Sequence, residues 1–160
     1  MVQSFVFVNG NQEIQFYNKR KLFTYAQEDK TFTAGNTFEI WQLKDWKIKP
    51  LICYELRFPE LSRNTQNYDV LLYVANWPER RIIHWDKLLP ARAIENVSYV
   101  IACNRIGEDG NKVNYNGHSG AWDFMGNEII SSEKDEILTV EFSKKPLIDW
   151  REKFPVLGDI

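Results

Sequence analysis

Residues 69–75 read Asp-Val-Leu-Leu-Tyr-Val-Ala, a near-continuous apolar run of strand length. A strand with one wet face alternates polar and apolar side chains. This one does not alternate, which predicts a central strand covered on both faces. The flanks extend that picture. Leu51-Ile52 closes a second buried strand upstream, and Ser98–Cys103 makes a third downstream. Between them, Pro59 opens a short helix through Asn64, with Glu60 and Leu61 suited to its first turn. Ile82 to Asn96 has helical spacing, with Ile82, Trp85, Leu89 and Ala93 on one face, and Pro90 is expected to kink or divide that helix. Further strands are predicted over Ser119–Phe124, Glu128–Ser131 and Glu136–Phe142, with a turn at Met125–Asn127. This order points to a layered α/β domain with a mixed sheet. Helices cover one sheet face. The other, given the aromatic stretch from Phe38 to Trp46, is expected to pack on a second sheet.

Two hairpins precede this core. Phe5–Val8 and Glu13–Tyr17 flank the turn signal Asn9-Gly10, and Phe38–Leu43 pairs with Trp46–Ile48 about Lys44-Asp45. Asn104–Gly117, polar and rich in Gly and Asn, reads as a loop. The tail after Ser143 carries Trp150 and Phe154 and is expected to dock against another surface. With 160 residues, the chain is long enough for one domain spanning 1–160 and too short for two.

A net charge of −2 gives no electrostatic reason to bind nucleic acid or an anionic membrane. No segment approaches the ~20 apolar residues of a membrane span, and the N-terminus lacks a signal-peptide pattern. Two cysteines are too few for a disulfide framework or a structural zinc site, which points to a reduced, cytoplasmic protein.

Cys53 follows an apolar strand and precedes Tyr54-Glu55-Leu56-Arg57-Phe58-Pro59. A thiol at such a strand-to-helix turn reaches the C-terminal edge of the sheet, where backbone N–H groups can stabilise an oxyanion and a nearby cation can favour thiolate. Cys103, inside the strand YVIACN, is expected to be a core residue. His84 and His118 are the available imidazoles, but spacing alone sets neither against Cys53.

Several blocks resemble the nitrilase superfamily, specifically its omega-amidase-like branch. LICYELRFPELSRN is similar to the nucleophile segment and YNKRKLFTYAQEDKTFTAGN to the lysine segment. The long block YDVLLYVANWPERRIIHWDKLLPARAIENVSYVIACNRIGEDGN follows, and REKFP closes the series. The matches keep the family's order from Tyr17 to Pro155. The resemblance implies an α–β–β–α sandwich with mixed sheets and no metal or organic cofactor. It implies hydrolysis of a small ω-amide, such as that of a 2-oxo diacid, through a Cys thioester that releases ammonia. Carried over by motif, Cys53 is the nucleophile, Lys19 the lysine of a Glu–Lys–Cys set, and Glu28 a further glutamate close to the site. The Tyr54 backbone N–H is the second oxyanion donor. Trp77, Asn76 and Arg57 are candidates for the substrate pocket, Glu95 and Asn96 for structural roles, and Arg80 or Arg81 for holding a substrate carboxylate. A dimer is implied as well.

Two departures matter. Lys21 stands where the branch usually has His. The family's base glutamate lies in an opening segment that nothing here resembles, so the domain is expected to be incomplete at its N-terminus. The chain is then part of a longer enzyme, a natural truncation that pairs with a chain supplying the glutamate, or an inactive module kept for binding or assembly.

Overall fold

The computed structural model describes residues 1–160. β1 (Ser4–Val8) and β2 (Ile14–Asn18) form a separate antiparallel hairpin. β3 (Trp41–Leu43) turns into β4 (Trp46–Ile52), and α1 (Pro59–Ser62) leads to β5 (Val70–Ala75). α2 (Ile82–Asn96) then leads to β6 (Tyr99–Asn104). A small hairpin of β7 (Ile106–Glu108) and β8 (Asn114–Asn116) precedes β9 (Ser119–Trp122) and β10 (Glu128–Ser132), and α3 (Lys144–Lys153) follows. Six strands make one mixed sheet in the order β10-β9-β6-β5-β4-β3, with β4, β5 and β6 parallel at its centre.

Strand register sorts the core into two layers. Leu51, Tyr73 and Ala102 share one row, all buried, on the face that α2 covers with Trp85, Leu89 and Ala93. Each fully buried Leu in such a layer contributes about 1.5–3 kcal/mol by leaving water. Trp41, Ile48, Val70 and Tyr99 share a row on the opposite face. There the β1–β2 hairpin lays Phe5 and Phe7 on Trp41, each with ring centroids 5.1 Å apart. Pro50 falls where β4 has run past β3, which ends opposite Ile48, the edge position at which a missing N–H is tolerated.

Several expectations change. α2 runs unbroken through Pro90, because buried Trp85, Leu89 and Ala93 pin it to the sheet on both sides of the missing N–H. Residues 104–117 are not a plain loop: the Asp109 carboxylate accepts the Asn111 and Val113 N–H groups and the Tyr115 hydroxyl, which folds β7 onto β8. Glu136–Phe142 is not a strand. It has no sheet partner, leaves Ile137 in solvent, and instead stacks Phe142 on Tyr99 at 4.4 Å. Phe38 stays outside β3. Cys103 is not a core residue. It shares a face with half-buried Ile101, opposite the α2 layer, and is exposed because nothing covers the sheet there. The tail docks on its own chain through buried Leu147 and through Arg151, which donates to the Val97 and Tyr68 carbonyls. Gly126 is demanded by its turn: φ is +82°, and a Cβ would lie 2.6 Å from the Ile94 side chain. No helix is long and apolar enough to cross a membrane.

Lys49 is an uncompensated charge in this core. It is 3% exposed, its one hydrogen bond goes to the Arg63 carbonyl at 3.4 Å, and its neighbours are the Phe38 and Tyr68 rings. Burial, with Arg20 adding repulsion, lowers its pKa to about 8. A folded-state pKa below the unfolded value of 10.5 means that the charged form penalises folding fully below pH 8, and the penalty fades as pH rises to 10.5. Lys49→Met is therefore expected to stabilise the fold by about 1–3 kcal/mol at pH 7, with a smaller gain at pH 10. Urea unfolding at both pH values checks this, and equal midpoints for the two proteins at pH 7 would refute it.

Candidate active site

β4 delivers Cys53 to the C-terminal edge of the parallel strands, where the chain turns sharply into a short 3-10 segment, Cys53–Arg57. Cys53 has φ +47°, a left-handed conformation that costs a non-glycine residue of order 1–3 kcal/mol. The turn lifts the side chain out of the strand's pleat, and Sγ comes to lie 3.8 Å from the Asn76 carbonyl oxygen beyond β5. Burial pushes the Cys53 thiol up. The Lys19 ammonium opposes that, as do backbone hydrogen bonds from Asn76 and Tyr54, while Glu28 acts in the same sense as burial. The Tyr54 ring packs between Phe23 and Phe58.

Lys19 is 1% exposed, unlike the solvated basic stretch its neighbours suggest. Its ammonium donates to both oxygens of Glu28, at 2.9 and 2.7 Å, and the Phe23 N–H donates to the same carboxylate at 2.7 Å. Behind it, Gly35 N donates to the Lys19 carbonyl at 2.8 Å, an approach so close that a Cβ would sit 2.3 Å from Asn18 O. Glycine is the residue that fits there.

Two residues outside the sequence-level candidates organise the surroundings. Glu55 is fully buried and accepts four hydrogen bonds: from the Tyr17 hydroxyl, from the Arg20 and Lys21 N–H groups, and from the Ile52 N–H. Asn104, at the end of β6, accepts from Trp77 N and donates to the carbonyls of Trp77 and Gly117, joining the turn after β5 to the β7–β8 hairpin. An acid three residues after a buried strand was the available signal for Glu55. Nothing local distinguishes Asn104.

Cys53, Lys19, Glu28, Asn76, Arg80 and Arg81 line one open cleft of about 580 Å³, with Asp109 and Tyr115 on the hairpin wall. Arg80 and Arg81 have no carboxylate partner among the molecule's ion pairs. Burial, with Arg80 and Arg57 alongside, pulls the Arg81 guanidinium below its ordinary pKa. Trp77 and Arg57 lie behind the cleft, lining only a crevice of about 20 Å³ beside Cys53. Trp77 is 2% exposed and packs on Trp85, and Arg57 lies over its ring and contacts His84 at 2.9 Å. His118 lies between Asp86 and Glu133, so neither imidazole lines the cleft. Asn96 bonds Asn64, and Glu95 pairs with Arg92, both in the α1–α2 layer. No group of three His, Cys, Asp or Glu side chains is placed to hold a metal ion.

A sequence model of the carbon-nitrogen hydrolase family matches residues 2–152. The chain is 44% identical over 160 residues to the omega-amidase YafV of Escherichia coli K12, covering 99% of this chain and 62% of that protein. It is 37% identical over 152 residues to the 2-oxoglutaramate amidase of Bacillus subtilis, covering 93% and 58%. XC1258 of Xanthomonas campestris, a CN-hydrolase superfamily protein crystallised with an arsenic adduct in its active site, superposes with a TM-score of 0.96 at 36% identity, covering 99% of this chain and 63% of that one. The chain thus spans about 62% of the length of the omega-amidases it matches.

The buried ion pair gives a stability prediction. Glu28→Gln leaves the Lys19 ammonium buried without a counter-charge and is expected to cost about 2–4 kcal/mol, less than a fully enclosed pair because Glu28 is 18% exposed. Replacing both, Lys19→Met with Glu28→Leu, is expected to recover most of that loss. Urea unfolding of the three proteins checks it, and a double variant no more stable than Glu28→Gln would refute it.

Proposed function

The chain belongs to the carbon-nitrogen hydrolase family, and from that premise we propose that its cleft hydrolyses a small ω-amide of the 2-oxo acid type through a thioester at Cys53. The observation that carries this reading is the convergence of Cys53, Lys19 and Glu28 on one cleft. Cys53 Sγ attacks the amide carbonyl carbon, and the C=O electron pair moves onto oxygen. The Lys19 ammonium and the Tyr54 N–H stabilise that oxyanion. Glu28, the cleft carboxylate paired with Lys19, is the base of this reading: the thiol proton passes to it and on to the leaving nitrogen. The C–N bond breaks, ammonia leaves, and a thioester remains. Water then attacks the thioester. Glu28 takes its proton, the C–S bond breaks, the proton returns to sulfur, and the carboxylic acid departs.

Arg80 and Arg81 support an anionic substrate. Two guanidinium groups without carboxylate partners beside a nucleophile suit the distal carboxylate of a 2-oxo diacid monoamide, because Arg binds carboxylates through paired donors.

A second reading, a module that binds or assembles without turnover, is favoured by a different observation. Val6, Val8, Ile14 and Phe16 point away from Trp41 on the β1–β2 hairpin and leave four large apolar side chains in solvent. A dimer, or pairing with a second chain, belongs with either reading.

Ammonia release from 2-oxoglutaramate by the 160-residue chain separates the two. Release that disappears in Cys53→Ala supports the amidase, and no release from either protein, with association seen by light scattering, supports the assembly module. Under the amidase reading, Arg81→Met and Arg80→Met are each expected to lower kcat/KM for the anionic amide by about 10- to 100-fold, chiefly through KM. Turnover of a neutral amide such as butyramide is expected to change little. Equal losses on both substrates would refute the carboxylate role.

A further inference from the structure

We propose that Glu55 is a positioning residue for the Cys53–Lys19 pair, one buried carboxylate fixing the backbone around both groups. The inference rests on the reading of Cys53 as nucleophile and Lys19 as its cation, and adds a residue to that site.

The argument is geometric. Lys19 lies between Tyr17 and Arg20-Lys21, and the Tyr17 hydroxyl and the Arg20 and Lys21 N–H groups all donate to Glu55 Oε1, at 2.7, 2.7 and 3.2 Å. Cys53 lies between Ile52 and Glu55 itself, and the Ile52 N–H donates to Oε2 at 2.7 Å. One oxygen therefore holds the segment that carries the ammonium, and the other holds the residue before the thiol. The hairpin bearing Lys19 belongs to a different sheet from β4, so no ladder hydrogen bond joins the two segments. Packing alone fixes position loosely, whereas four donors converging on a fully buried acceptor fix it tightly. Such a tether matters at the left-handed Cys53 turn, which relaxes unless its neighbours over-determine it.

Gln is nearly isosteric with Glu but presents a donor where one oxygen was. If its oxygen serves the three lysine-side donors, its NH₂ meets the Ile52 N–H. The reverse orientation loses the lysine side, so Glu55→Gln cuts one half of the tether. If Glu55 served only the fold, Glu55→Gln would lower stability and leave the thiol's dependence on Lys19 unchanged.

The deciding experiment is a double-mutant cycle on the pH dependence of Cys53 alkylation by iodoacetamide, in a Cys103→Ser background so that one thiol is read. Alkylation needs no amide turnover, so it stands apart from the enzymatic assay. Lys19→Met is expected to slow alkylation at pH 7 by about tenfold. Glu55→Gln is expected to slow it by about three- to tenfold when Lys19 is present, and by less than about twofold in the Lys19→Met protein. Tyr17→Phe removes one donor while keeping the buried ring, and is expected to show the same coupling at about twofold. If Glu55→Gln lacks a cooperative melt, the Tyr17→Phe cycle decides. Equal effects in both lysine backgrounds, or none in either, overturn the positioning role. A Lys19→Met protein alkylated at the wild-type rate overturns the site reading, and the positioning role with it.

Discussion

The parallel arrangement of β4, β5 and β6 constrains everything else in this molecule. Parallel neighbours need crossovers, and right-handed crossovers between strands laid down in sequential order put their connecting helices on one face. The α2 layer follows from that, as does the opposite face that receives the β1–β2 hairpin. The same arrangement brings three strand ends to one edge. Cys53 follows β4, Asn76 follows β5, and Asn104 ends β6 before the small hairpin begins. The cleft lies at that edge because it is where three strands stop together and their connections diverge.

Charge is handled differently at the nucleophile end of the sheet and in the middle of β4. At the nucleophile end, burial is matched by partners. Lys19 has Glu28, Glu55 has four donors, and the Asp109 carboxylate is tied into its own turn. Arg80 and Arg81 have no carboxylate partner and line the cleft, where an incoming anion can meet them. Lys49, in the middle of β4, is buried without any carboxylate, and its lowered pKa is the physical result. A buried group with its partners present is inexpensive, and one without them is not.

Much of this was legible in residue order, for reasons that differ by element. The run at 69–75 has one stable environment, so it reads as a central strand from composition alone, and the spacing of Trp85, Leu89 and Ala93 similarly sets the face of α2. The 104–117 hairpin was hidden because side-chain hydrogen bonds from Asp109, rather than apolar alternation, fold it. Glu136–Phe142 alternates like a strand but has no neighbour to pair with, and pairing is a property of the whole sheet. Cys103 misled for a related reason. Its strand is central, yet only one face is covered at that point. At the site, motif resemblance singled out Cys53, Lys19 and Glu28, whereas Glu55 and Asn104 act through contacts 35 and 27 residues distant in sequence, which no local pattern encodes.

The hairpin's outer face has a thermodynamic corollary. Opening a structural unit costs the contacts it loses, and Val6, Val8, Ile14 and Phe16 are already hydrated, so they add almost nothing to that cost. What keeps the hairpin closed is Phe5 and Phe7 on Trp41, Tyr17 on Glu55, and the Lys19 pair itself. The cation of the site thus follows directly on a unit that is held closed by few buried contacts. Anything that dries that outer face strengthens that hold, and it narrows the range of positions open to the ammonium without touching the cleft.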